Sequence, residues 1–184
     1  MRKAIIIVVI FNILRLAFIP FVGLTPQESY FAYYADNLSL SYFDHPPLIG
    51  YIIWLFMAVF GHNMYAVKIA SFVVIVLAQL AFLLLASKIL RGERKYLAWV
   101  LFCTSMLVTS MSLQNGPDVP LVLFWTLSIW AFYCAIFEKS VKHWIYAGIF
   151  TGLALNSKFP ALGIPIGLII FLIFLMRILH DVHD

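Results

Sequence analysis

Pro47-Leu48-Ile49-Gly50-Tyr51-Ile52-Ile53-Trp54-Leu55-Phe56-Met57-Ala58-Val59-Phe60 is an unbroken apolar run of 14 residues, and its path decides the topology of the chain. As a helix rising 1.5 Å per residue it reaches about 21 Å, short of the roughly 30 Å hydrocarbon core of a bilayer. If it crossed, every later loop would change sides. The basic residues decide against that. With the run on the surface, Arg2, Lys3, Lys88, Arg91, Arg94, Lys95, Lys139, Lys142 and Arg177 share the side of the N-terminus, only Lys68 and Lys158 lie opposite, and Arg15 is embedded. Cytoplasmic loops carry the excess of Lys and Arg, so this distribution predicts a surface helix on the outer face and both termini in the cytoplasm.

Composition points the same way. The chain of 184 residues is 64% apolar and 11% charged, more apolar surface than a soluble fold of this size can hide, while lipid solvates it and asks only that backbone groups pair internally. The expected fold class is an all-α integral membrane protein, one transmembrane domain over residues 1–184. Its six spans fall near residues 4–22, 64–90, 96–113, 120–137, 144–156 and 159–178, with an outer loop of juxtamembrane helices over 25–60. The first run is too long for a signal-peptide core and lacks a small-residue cleavage site. Arg15 within it is expected to face the bundle interior or reach a headgroup layer, a structural role. Cys103 and Cys134 sit in apolar runs as small buried thiols, outside any disulfide framework. The net charge of +4 reflects the inside bias, with no basic patch interleaved with aromatics of the kind nucleic acids require.

Upstream of the short run lies the longest polar interruption, Thr25 to Leu48. Thr25, Pro26 and Glu28 fit a helix start: a cap, a proline at the first helical position, and a glutamate three residues after the cap. That helix is expected to reach about Leu40, with Tyr30, Phe31, Tyr33 and Tyr34 suited to the headgroup zone. Asp44, His45, Pro46 and Pro47 break it. Each candidate residue has a plain structural reading. Glu28 closes a capping box, Asp118 in Asn115-Gly116-Pro117-Asp118-Val119-Pro120 serves as N-cap of the next span, and Lys158 in Asn156-Ser157-Lys158-Phe159-Pro160 snorkels from a span end. Asp44 beside His45 falls short of a metal site, which takes three or four ligands. The tail His180, Asp181, His183, Asp184 reads as a frayed polar end. No P-loop, zinc-finger spacing, nucleophile elbow or repeat is present, and no span carries paired ionisable residues. Together, however, Glu28, Asp118 and Lys158 bring two acids and a lysine from three loops to one membrane face, beside an aromatic surface helix. Glycosyl transfer from a lipid phosphate needs this set: a carboxylate to take the proton of the attacking hydroxyl and a cation to stabilise the departing phosphate.

Pro26-Gln27-Glu28-Ser29-Tyr30, followed by Ser41-Tyr42-Phe43-Asp44-His45-Pro46-Pro47-Leu48, resembles the first outer loop of GT-C fold glycosyltransferases, in particular the protein mannosyltransferase and aminoarabinose transferase-like group. Asn115 to Leu121 resembles that group's second acidic loop, and Ser157-Lys158-Phe159 its Ser-Lys-aromatic motif. The resemblance implies transfer of a hexosyl or pentosyl unit from a polyprenyl-phosphate sugar donor to a lipid or protein acceptor, in the cell (inner) membrane with the active face outward. It implies catalysis by Glu28 and Asp118 and donor-phosphate binding by Lys158; from the residues themselves, His45, Asp44 and Tyr30 are further candidates for substrate binding. Asp44 lies where some members hold a metal, so a divalent metal is compatible with the pattern and not demanded by it. Many members carry Asp-Glu where this chain has Gln27-Glu28, which leaves the base to Glu28 by default. Members of the group also continue through further spans, so the resemblance implies a fragment, a truncated product, or a half completed by a second polypeptide. Two other readings stand beside it: a non-catalytic subunit or remnant that binds lipid phosphate, and a small transporter component.

Overall fold

The computed structural model describes the backbone of residues 1–183 and the side chains of residues 1–178. Among the described residues there are only helices and turns: α1 (Arg2–Phe18), α2 (Pro26–Asp36), α3 (Leu48–Phe60), α4 (Met64–Ile89), α5 (Arg94–Thr104), α6 (Met106–Leu113), α7 (Asp118–Phe137), α8 (Val141–Ser157) and α9 (Gly163–His183). The fold is the expected all-α membrane type. With the 3-10 turns that extend them, α1, α4, α7 and α9 are long and apolar enough to cross a bilayer, and the pair α5 and α6 makes a fifth candidate bent by 51°. The 17-residue α8 sits at the short end of the range that spans. The tail side chains His180, Asp181, His183 and Asp184 lie outside the described residues.

The N-terminal signals of α2 form as expected. The Thr25 side chain accepts from the Glu28 amide at 3.2 Å, Glu28 Oε2 accepts from the Thr25 amide at 2.9 Å, and Pro26 starts the helix. The helix stops at Asp36, short of the expected Leu40. Tyr42 folds back, stacks on Tyr34 with ring centroids 3.5 Å apart, and donates its hydroxyl to the carbonyls of Tyr34 and Asn37. Those carbonyls are thereby satisfied without a further helical turn.

Both ends of α3 stay beside α2. At its start, a Cβ on Gly50 would stand 3.0 Å from Tyr34 Cβ, so the two helices meet at backbone distance. At its end the chain turns through Gly61 (φ 81°), and His62 Nδ1 lies 3.1 Å from Asp36 Oδ1. Asn63 then caps α4 by accepting from the Ala66 amide at 3.0 Å. The short run therefore leaves and re-enters at one end of the bundle. Its face Ile49, Ile53 and Met57 packs with Phe31, Tyr34, Ala35, Ala66 and Val67. Where water reaches this layer, full burial of each large apolar side chain contributes about 1.5–3 kcal/mol.

Helix α4 runs through the middle. Ala66, Ala70, Ser71, Ala78 and Ala81 are all buried on it, and small residues let neighbouring backbones approach where lipid removes the hydrophobic drive between helices. Asn12 and Gln79 exchange side-chain hydrogen bonds of 2.8 and 3.1 Å between α1 and α4. The span expected over 96–113 is broken at Ser105, which is extended and caps α6. Arg15 faces the interior and answers that break: its guanidinium donates to the Cys103 carbonyl and, at 2.6 Å, to Thr109 Oγ1.

Two contacts tie the N-terminal end of the bundle together. The Met1 amino group lies 3.0 Å from Glu93, and Lys88 lies 2.7 Å from Glu138, so residue 1 and the loops after α4 and α7 share one end. The starts of α4 and α7 and the end of α8 fall at the opposite end. There the candidate site lies.

Candidate active site

Glu28 is fully buried. Its Oε2 accepts from the Thr25 amide (2.9 Å), the Thr25 hydroxyl (3.1 Å) and Lys68 Nζ (2.7 Å), and its Oε1 accepts from the Asn115 amide (2.9 Å). A carboxylate closed to solvent and held by four donors presents no open face in this structure. Gln27, the preceding residue, is exposed. Consecutive helical residues project about 100° apart, so the capping geometry that turns Glu28 inward turns Gln27 outward.

Lys68 is the residue that sequence reading passed over. It stands in the second turn of α4, fully buried, and a second bond of 2.8 Å runs from its ammonium to the Leu113 carbonyl. In the sequence Lys68 is placed only by its side of the chain's path; in the structure α4 carries one half of a buried ion pair whose other half lies 40 residues earlier, on α2. A signal was present. Lys68 is the lone charge in the first 24 residues of α4, and a lone charge inside a span marks a hidden partner.

Asp118 is the first residue of α7, and Pro117 occupies the cap position with no side-chain cap bond. The expected capping role is therefore corrected. The carboxylate turns instead to Lys158, whose Nζ donates to Oδ1 at 2.9 Å and Oδ2 at 2.8 Å. Lys158 sits at the C-terminal cap of α8 in extended conformation (φ −161°, ψ 141°). The antiparallel packing of α7 on α8 brings the start of one to the end of the other. Both side chains stay partly open, 46% for Asp118 and 32% for Lys158. In that setting the pair contributes little to stability, typically about 0–1 kcal/mol, because water competes for both charges.

Asp44 and Tyr30 meet in the loop after α2. Asp44 Oδ1 accepts from Tyr30 at 3.0 Å and from Tyr34. The Tyr34 hydrogen bond, with smaller help from Tyr30, holds the Asp44 carboxyl below its ordinary value of 3.8. Burial first, then the same bond, pushes the Tyr34 phenol upward. His45 Nδ1 lies 3.1 Å from Asp44 Oδ2 without hydrogen-bond alignment. Among the described residues no three His, Cys, Asp or Glu side chains converge on a metal position. Asp44 and His45 alone do not fit a metal, which requires more ligands than two.

Phe31 stands between the two halves of the site. Its ring centroid is 5.5 Å from that of His45, and a Cβ on Gly116 would lie 3.8 Å from its Cε2. The loop after α2 and the Asp118 loop thus share one wall. From the Lys158 side, an apolar cleft of about 340 Å³ opens one 3-10 turn further on, between Trp125, Ile129 and Phe137 of α7 and Gly163, Gly167 and Phe171 of α9.

This fold and site define a multi-pass helical membrane protein that gathers acids, lysine and phenol hydroxyls at one end of its bundle. The chain belongs to the dolichyl-phosphate-mannose-protein mannosyltransferase family, whose model matches residues 44–183. It is similar to the undecaprenyl phosphate-alpha-4-amino-4-deoxy-L-arabinose arabinosyl transferase 2 of Proteus mirabilis, 30% identical over 135 residues, covering 70% of this chain and 24% of the relative. A transferase of the same description from Pseudomonas aeruginosa is 35% identical over 128 residues, covering 68% and 23%. The lipid A galacturonosyltransferase RgtD of Rhizobium johnstonii is 23% identical over 169 residues, covering 90% and 36%. The chain thus spans well under half the length of these relatives. No solved structure matches it.

Proposed function

We propose that the chain is the donor-binding part of a membrane glycosyltransferase, which transfers a hexosyl or pentosyl unit from a polyprenyl-phosphate sugar to a lipid or protein acceptor on the outer face of the cell membrane. The observation that carries this reading is the half-open Asp118–Lys158 pair. A lipid phosphate competes with the carboxylate for the ammonium. As Lys158 turns to a phosphate oxygen, Asp118 regains the lone pairs with which it accepts the proton of the acceptor hydroxyl. The acceptor oxygen bonds to the anomeric carbon as the bond from that carbon to the phosphate oxygen breaks. The phosphate departs with the electron pair, and Lys158 stabilises its charge. Donor arrival and base activation are then one event.

The remaining features support that reading. The apolar cleft that begins beside Gly163 suits an isoprenoid chain whose phosphate sits at Lys158. Tyr30, Asp44 and His45 present phenol, carboxylate and imidazole for sugar hydroxyls. The names of the relatives point to an undecaprenyl-phosphate pentose donor and a lipid A acceptor. A second polypeptide or a further segment would supply the remaining acceptor surface.

The test is binding of a polyprenyl phosphate presented in phosphatidylcholine vesicles. Lys158→Ala removes a charge-assisted contact and is expected to weaken binding by about 10-fold or more. Asp118→Asn removes the competitor for Lys158, so it should bind the phosphate at least as tightly as wild type while abolishing transfer in a complete enzyme. Unchanged binding by Lys158→Ala sinks the donor site. Tight binding with full transfer by Asp118→Asn sinks Asp118 as the base and moves that role to another carboxylate.

A further inference from the structure

Three segments far apart in sequence meet at one dry point. Lys68 Nζ holds Glu28 Oε2 at 2.7 Å and the Leu113 carbonyl at 2.8 Å; the Asn115 amide donates to Glu28 Oε1 at 2.9 Å, and Asn115 Nδ2 to the Val67 carbonyl at 2.8 Å. One turn on, Ser71 Oγ reaches the carbonyls of Met111 and Gln114. Glu28, Lys68 and Ser71 are fully buried, and Asn115 is 3% exposed. The cation therefore takes a carbonyl, and the anion an amide, from the same short strip of backbone. That strip leads through Gly116 and Pro117 directly to Asp118.

We infer that the Glu28–Lys68 pair is a latch which positions the Asp118 loop, with Lys68 a positioning residue for the site and Glu28 its counter-ion. This rests on the donor-site reading above for its functional meaning, though not for its geometry. The physical basis is an asymmetry. Removing one member of a buried pair strands the other's charge without water, whereas replacing both with neutral groups of similar shape can be nearly neutral. Glutamine at position 28 can still close the capping box and still offers an oxygen to the Asn115 amide. The pair also accounts for a glutamate so deeply enclosed. A base must open to its substrate, while a latch must stay shut.

The experiment is a cycle of Lys68→Met, Glu28→Gln and the double variant in the full chain, with Lys68→Arg as the charge-conserving control. Two readouts are followed in detergent: hydrogen exchange of the Asn115 amide relative to amides of α7, and binding of a polyprenyl phosphate. Lys68→Met should speed Asn115 exchange by about 10-fold or more, the ratio that a lost buried charge-assisted bond implies, and should weaken phosphate binding in parallel. The double variant should recover both to within about threefold of wild type, and Lys68→Arg should keep the amide protected. If Lys68→Met alone fails to fold, recovery of folded protein by the double variant makes the same case. Unchanged Asn115 exchange in Lys68→Met overturns the latch. So does a double variant no better than Lys68→Met. Exchange that follows this pattern in a chain that binds no polyprenyl phosphate would leave the latch standing and remove the donor site instead.

Discussion

Tyr34 joins three parts of the segment from α2 to α3. Its ring stacks on Tyr42, its backbone meets Gly50 of α3, and its hydroxyl reaches Asp44. The last contact sets a charge. A carboxylate whose folded-state value is depressed lends stability above its ordinary value, near 3.8, and loses that stability as pH falls through the lower folded value. Tyr34→Phe keeps the ring and removes the donor. The apparent pKa of Asp44, followed by carboxyl carbon NMR, should then rise toward the ordinary value, and the acid loosening of the loop should begin at higher pH than in wild type. Tyr30 remains as a weaker partner, so the rise should be incomplete. An unmoved titration would show that Tyr34 does not hold Asp44. Removing Tyr30 alone should move it less.

At the scale of the element, the break between α5 and α6 is the feature that composition hides. Residues 96–113 read as a single apolar run, and the backbone nevertheless departs from helix at Ser105. Free carbonyls at membrane depth must find partners inside the protein. Arg15 supplies one at Cys103, from a helix 88 residues away in sequence. Arg15→Met would leave that carbonyl unanswered, and a loss of about 1–3 kcal/mol in stability is expected, measured as a lower midpoint of thermal unfolding in detergent. Thr109→Val removes only an end partner of the same guanidinium and should cost less. Equal stability of Arg15→Met and wild type would mean that the break is satisfied in another way. Helix α3 makes the complementary case. Its length forecast that it does not cross, and contacts with Tyr34 at its start and, from His62, with Asp36 just beyond its end keep it beside α2.

For the whole molecule, the ion pairs at the two ends of the bundle sort the loops independently of any charge rule. The contacts Met1–Glu93 and Lys88–Glu138 gather one set of loops, while Glu28–Lys68 and Asp118–Lys158 gather the other. In a chain with Cys103 and Cys134 replaced by alanine, a cysteine at His62 should react with an impermeant maleimide added to intact cells. A cysteine at Arg91 should react only after the membrane is opened. His62 and Arg91 are both exposed, so accessibility depends on the side of the membrane alone. Reaction of the Arg91 site in intact cells would reverse the topology and move the candidate site to the cytoplasm.

Sequence by itself determined the solvent of this protein, the helical class and the start of α2. Each of these follows from local terms: the length of the apolar runs and the chemistry of a cap. It also put Asp118 and Lys158 on the same side of the chain's path, and in the structure the two side chains meet. The partners were decided only by the tertiary structure. Glu28 closes a capping box in either case, yet whether its remaining oxygen faced water or Asn115 depended on how α4 and the loop after α6 pack against it. Lys68 looked like a stray charge until α2 came to rest beside it, and Asp118 looked like a cap until α8 delivered Lys158. A buried charge is tolerated only where its counterpart arrives from elsewhere in the chain, and the periodicity of one helix carries no information about which segment that will be.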